Sequence, residues 1–229
     1  MKSEHIDMSI QHHPDDELLV GHAAGELPEA WSVLVATHSA LCLDCRARVY
    51  AAEAVGGALV ADACPVEMKD GALEGTLARA LEPRADTTTR AVGTRAEMRD
   101  TKPIFPQPLR DYAGGDLDGL RWRRLGRGAY HIPLVSGRGA PTARLLRIPA
   151  GRPVPEHGHN GLELTMVLRG SFTDGGQRFG VGDVETADTD LEHQPVAAPG
   201  EDCICLAVTD APLRFRGVFA RLVQPFIGI

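Results

Sequence analysis

Residues 151–170 read GRPVPEHGHNGLELTMVLRG, and this stretch decides the fold. His157 and His159 stand two apart, which on an extended strand turns both imidazoles to one face. Glu163 comes two residues into the next apolar run, LELTMVL, and faces back toward the same cavity. Farther on, Gly182-Asp183 is followed by His193, a third imidazole. Three imidazoles and a carboxylate make a borderline donor set that suits Zn, Fe, Mn, Ni or Cu, so ligand type alone does not choose the metal. The regular alternation between apolar flanks argues against a histidine cluster that merely decorates the surface.

On both sides of this stretch the texture is that of short strands punctuated by Gly and Pro, at 120–125, 143–149, 162–168, 183–187, 203–208 and 213–218. Regular short strands with turn residues between them predict an antiparallel sandwich or barrel over residues 108–229. Cys203 and Cys205, two apart on one of these strands, share a face and read either as a redox-responsive pair or as small buried hydrophobes. Upstream, residues 82–107 lose all periodicity and carry prolines among Thr and Arg, the composition of a flexible linker.

Residues 14–81 read as helices. Pro14, the acidic run Asp15-Asp16-Glu17 and Gly25 bound the first, and Pro28 starts the second. In the second, Ala30, Leu34, Thr37, His38 and Leu41 recur at spacings of three and four, which puts His38 at the edge of a buried stripe. A third helix from about Cys45 aligns Val49, Ala52, Val55 and Leu59, and a shorter one aligns Leu73, Leu77 and Leu81. Four such helices enclose little core, so a structural metal is a plausible staple.

The means for one lie in His38-Ser-Ala-Leu-Cys42-Leu-Asp-Cys45. Thiolates one helical turn apart converge on a single ion with a histidine from the preceding helix, and a closed tetrahedral Zn2+ site needs one more ligand. His12-His13 can supply it; His13, whose backbone is fixed by the following Pro14, is the better choice. No βαβ pattern surrounds the CxxC, which disfavours a thioredoxin-type redox motif.

The chain has 229 residues, 43% of them hydrophobic and 24% charged, an ordinary globular balance. No apolar run is long enough for a membrane span, and the start, MKSEHIDMSIQHH, is too polar for a secretory signal, so a soluble cytoplasmic protein is expected. The net charge of −7 sits in the first third: residues 1–81 hold 5 Lys/Arg against 13 Asp/Glu. An acidic face repels nucleic acid and attracts a basic protein, so a protein partner is expected and direct DNA binding is not.

The spacing G-x5-H-x-H-x3-E-x6-G over residues 151–170 resembles the first motif of the cupins. Gly182 and His193 match the second motif, whereas Asp188, Asp190 and Ala197 stand where that family usually has Pro, Gly and Asn. The resemblance implies a jelly-roll β-barrel whose metal is held by His157, His159, Glu163 and His193, with Zn2+ the first choice and Fe, Mn or Ni the alternatives. His13, His38, Cys42 and Cys45 look like the ligands of a zinc-binding anti-sigma domain. The two units in this order are similar to the ChrR family of anti-sigma factors. That likeness implies a fold of α plus β type: a zinc-stapled helical domain (1–81), a linker (82–107) and a cupin sensor domain (108–229). It implies that the helices wrap an extracytoplasmic-function-type sigma factor and block its contact with core RNA polymerase, and that the cupin senses oxidative stress such as singlet oxygen. The rival expectation is a cupin metalloenzyme, a dioxygenase or isomerase, because an open three-histidine site can act as a Lewis acid. The oligomeric state stays open.

Overall fold

Helices α1 (Asp16–Ala24), α2 (Glu29–Leu41), α3 (Leu43–Asp62) and α4 (Ala72–Leu81) follow one another in the N-terminal third. The computed structural model describes residues 10–82, 103–125, 128–137 and 139–215. Gly25 ends α1 in the left-handed region at φ 72°, a conformation that costs a residue without Cβ little. Leu19, Val35, Cys42, Cys45 and Val49 form the small core of this helical unit. The stripe read along α3 is buried only at its start. Val49 is buried, whereas Val55 and Leu59 are 63% and 70% exposed. Cys64, beyond the end of α3, is also exposed.

The β region is built on one six-stranded antiparallel sheet in the order β1-β2-β3-β11-β5-β8. Its strands are β1 (Arg123–Leu125), β2 (Ala129–Val135), β3 (Thr142–Ile148), β5 (Glu163–Arg169), β8 (Val184–Ala187) and β11 (Cys203–Thr209). Two three-stranded sheets accompany it. One joins β6 (Phe172–Asp174), β7 (Gln177–Phe179) and β10 (Val196–Ala197); the other joins β4 (His157–Gly158), β9 (Glu192–His193) and β12 (Arg214–Phe215). Of the strand expected at 213–218, the last three positions lie outside the described residues. The result is the cupin-like β architecture expected from the histidine motif.

Alternation along β11 shows how the large sheet is covered. Ile204, Leu206 and Val208 point into a core shared with Ala30, Trp31, Val33 and Leu34 of α2. Cys203 and Cys205 point the other way, into a second core with Phe172, Phe179 and Ala197. Helix α2 is therefore buried on two sides, against α1 and α3 and against the sheet. The helical unit does not stand apart from the barrel; one hydrophobic core runs through both.

The end of the segment read as a linker belongs to this core. Phe105 is 1% exposed and lies in the shared cluster with Leu109 of α5 (Gln107–Ala113). Asp116 fixes it there, accepting the backbone N–H of Ile104 at 2.9 Å and of Phe105 at 3.0 Å. Residues 83–102, the rest of that segment, lie outside the described residues. Phe105→Ala removes a buried ring and should destabilise the protein by about 3–5 kcal/mol, as read by denaturant unfolding. A loss within about 0.5 kcal/mol, as for an exposed residue, would mean that the segment does not pack.

Candidate metal centres

The junction of α2 and α3 brings the first set of donors together. His38 is in the last turn of α2, Cys42 caps α3 and Cys45 is in its first turn. The extended chain ahead of α1 lays His13 over them. His13 Nδ1 is 3.4 Å from His38 Nε2, 3.5 Å from Cys42 Sγ and 3.4 Å from Cys45 Sγ. Metal–ligand lengths of about 2.0–2.1 Å for nitrogen and 2.3 Å for sulfur put the corners of a zinc tetrahedron about 3.3–3.7 Å apart. The donor set and its spacing thus fit a closed Zn2+ site, with His13 in the fourth position. His12 turns away, its ring 4.5 Å from that of Phe179.

Protonation at this site follows from burial. His38 Nδ1 donates to the Gly182 carbonyl at 2.9 Å, since a carbonyl can only accept, and this leaves Nε2 with a free lone pair. Burial brings the His38 pKa down to about 4, against the pull of that hydrogen bond, so the ring is neutral as a ligand must be. The Cys45 thiol is pushed up to about 12, first by burial and then by Cys42 beside it. Two buried thiolates side by side need a cation between them.

The second set gathers on the small β4-β9 sheet. His157 pairs with His193 across the two strands. His193 Nε2 lies 3.2 Å from His157 Nε2 and 3.1 Å from His159 Nε2. The outer nitrogens of two rings are held from behind: His157 Nδ1 donates to the Pro155 carbonyl at 2.8 Å and His193 Nδ1 to Asp174 Oδ2 at 3.0 Å. Lone pairs on Nε2 therefore converge on one point, which is what a cation in this place requires. Burial brings the pKa of both His157 and His159 down to about 4, which keeps them neutral.

Glu163 does not join the three converging nitrogens. Its Oε2 lies 3.7 Å from His159 Nδ1, behind the ring, and its Oε1 accepts from the Thr165 hydroxyl at 3.1 Å. Burial raises its carboxyl pKa to about 7. Two acidic residues that spacing did not single out stand close instead. Asp174 on β6 and Glu185 on β8 both face His193 Nδ1, the latter at 3.8 Å. For His193, burial lowers the pKa but these carboxylates outweigh it, and the net shift is upward. Alternation along β8 places Glu185 opposite the core-facing Val184, yet a lone Glu on a four-residue strand gives the sequence reader no partner to look for.

The turn before β9 uses a different device from the usual cupin Pro and Gly. Asp188 Oδ1 accepts the Asp190 amide at 3.0 Å, and the Asp188 carbonyl accepts from Leu191 at 3.3 Å. Aspartate thus supplies the turn through its own side chain. Cys203 and Cys205 do share a face, with Sγ atoms 3.5 Å apart and both thiols free. The Cys205 pKa is raised, first by the hydrogen bond with Cys203 and then by burial.

A cupin barrel fused behind a helical unit with a Cys2His2 donor set defines the class of this protein. Residues 112–212 match the ChrR cupin-like domain family. The chain is 50% identical to the anti-sigma-E factor ChrR of Cereibacter sphaeroides over 222 residues, 97% of this chain and 100% of that one. Among solved structures it resembles the crystal structure of Rhodobacter sphaeroides SigE in complex with the anti-sigma ChrR. There the TM-score is 0.73 at 48% identity, covering 88% of this chain and 99% of the other. The chain belongs to the ChrR family of anti-sigma factors, a family of regulators and not of cupin metalloenzymes.

Cys42→Ala leaves an incomplete tetrahedron. The variant should lose about one equivalent of zinc by elemental analysis and melt at a lower temperature. Full zinc content with an unchanged melting point would remove Cys42 from the site.

Proposed function

We propose that the protein is an anti-sigma factor whose helical unit, within residues 1–81, binds an extracytoplasmic-function-type sigma factor and blocks its access to core RNA polymerase. The observation that carries this reading is the apolar face left bare on α4. Leu73, Leu77 and Leu81 repeat every four residues along α4 and are 64%, 52% and 81% exposed. No residue of α4 is buried. On α3, Val55 and Leu59 are exposed as well. Exposed apolar stripes of this kind mark helices that bury their face on a partner. The acid excess of the same residues suits a basic partner surface and speeds encounter. The relative crystallised with SigE supports the identity of the partner class. Such an inhibitor works in the cytoplasm, where sigma factors meet the polymerase. Among the described residues no helix is long and apolar enough to cross a membrane.

The test is transcription by purified polymerase and the sigma factor that co-purifies with the full chain. Leu73→Glu with Leu77→Glu, on exposed positions, should leave folding intact and weaken sigma binding by at least about a hundredfold. Undiminished inhibition by this variant would place the docking surface elsewhere.

In the same reading, the cupin centre holds a divalent cation through His157, His159 and His193, with Glu163 beside them, and serves to detect photo-oxidative stress such as singlet oxygen. An ion held by histidines at the mouth of a barrel keeps open positions for an oxidant or oxidised ligand. The thiols of Cys203 and Cys205 lie on the inner face of the sheet, where they can react once the region loosens. Release then follows from exposing a protease-sensitive segment of the inhibitor. Glu163→Ala or His193→Ala should accordingly keep repression in unstressed cells and abolish induction by oxidant. Constitutive expression at normal inhibitor levels, or a full response to oxidant, would refute the assignment.

A further inference from the structure

The two candidate centres lie at the two ends of one short piece of backbone. Its first residue, Gly182, accepts the Nδ1–H of the zinc-site ligand His38 at 2.9 Å. Its second, Asp183, holds the strap that carries His13: Oδ1 accepts the amides of Gln11 at 2.7 Å and His12 at 3.0 Å. The other carboxylate oxygen is fixed by the Gly180 amide at 2.7 Å. Its third, Val184, donates to the His12 carbonyl at 3.1 Å, so the strap joins the edge of the large sheet through backbone bonds as well. Its fourth, Glu185, lies 3.8 Å from Nδ1 of His193 in the cupin centre.

This piece has little freedom to move without moving its neighbours. Gly182 and Asp183 exchange backbone bonds with Val167, at 2.9 and 3.0 Å, and β8 pairs along its length with β5. At Gly182 (φ +92°) a Cβ would meet Ile10 Cδ1 at 2.4 Å, so the strap sits directly on the glycine. Close-packed elements of this kind pass a displacement on instead of absorbing it.

We propose that residues 182–185 are a mechanical link between the centres, through which the state of the cupin histidines sets how firmly the strap and His38 are held. A shift of His193 moves Glu185, and the strand carries that motion to the carbonyl and carboxylate that grip the zinc unit. The link rests on the sensor reading of the cupin above and gives it a route that bypasses residues 83–102. In this link residues 182–185 act by holding other groups in place.

Amide hydrogen exchange in the full-length, zinc-loaded chain tests this, because the amides of Gln11 and His12 are the ones Asp183 holds. The cupin centre is emptied by His157→Ala, which removes a donor whose other nitrogen bonds to Pro155 and not to β8. Exchange at Gln11 and His12 should then quicken about tenfold, the scale of one charge-assisted hydrogen bond lost. In a Glu185→Leu background, which keeps volume and cuts the link, His157→Ala should add nothing. Asp183→Ala cuts the link at the strap end, away from the histidines, and should likewise abolish the increment, whether or not Glu185→Leu folds well. Exchange that ignores His157→Ala, or that rises equally with the link cut, overturns the proposal. No sigma factor enters this experiment, so its failure leaves the inhibitory function standing, and a failure to inhibit leaves the link standing.

Discussion

Strand β11 is buried at all seven positions, and this constrains everything around it. A strand in the middle of a sheet with both faces apolar must have a cover on each side, since exposed apolar area is unfavourable by about 25 cal/mol per Å2. On one side the cover is the β6-β7-β10 sheet, through Phe172, Phe179 and Ala197. On the other it is α2, α5 and Phe105. Seating α2 against the sheet is what brings His38 to Gly182, so the packing of the barrel and the geometry of the zinc unit have the same cause.

The pairs His157/His159 and Cys42/Cys45, which the structure brings together with further donors, were legible in the chain because their spacing restricts them. Two histidines at i and i+2 share a strand face, and thiols one turn apart share a helix face, whatever lies around them. What spacing does not encode is what stands behind a ligand. Asp174 and Glu185 come from separate strands, and only the sheet order brings them to His193. Glu163 illustrates the converse: its place in the motif puts it beside His159, but its carboxylate sits behind that ring. Strand β2 escaped notice because it contains Pro133, which breaks the ladder at a register shift between Pro133 and Val135. Phe105 escaped because prolines on either side of it mimic a linker, while the carboxylate that pins it, Asp116, is eleven residues on.

The two centres differ in kind. Two thiols and two imidazoles at tetrahedral spacing would leave an ion no place for another ligand, the arrangement of a structural site. Three imidazoles converging from one side leave the opposite side of an ion open, which suits a site that must meet an incoming molecule. The second ring nitrogen of a ligand is tied differently too. His157 and His193 are anchored within the barrel, to Pro155 and Asp174, whereas His38 is anchored across the structure, to Gly182. The zinc unit is therefore the one whose ligand orientation depends on another part of the chain.

A metal held by the Cys2His2 donor set would also let the helical unit keep an apolar stripe out of its own core. Five buried residues are few for this many helices. A unit stabilised by burial alone would have to turn more of its exposed apolar residues inward, Leu73, Leu77 and Leu81 of α4 among them. Structural zinc in such a donor set contributes about 10–16 kcal/mol of apparent folding energy, which would relieve that demand and leave Leu73, Leu77 and Leu81 available to a partner. The prevalence of acidic over basic residues in the same segment opposes self-association through an exposed leucine stripe, since like charges repel two copies and favour a basic surface. A metal-held unit with this charge and this bare helix would be folded before it meets its partner and still have an apolar face to offer.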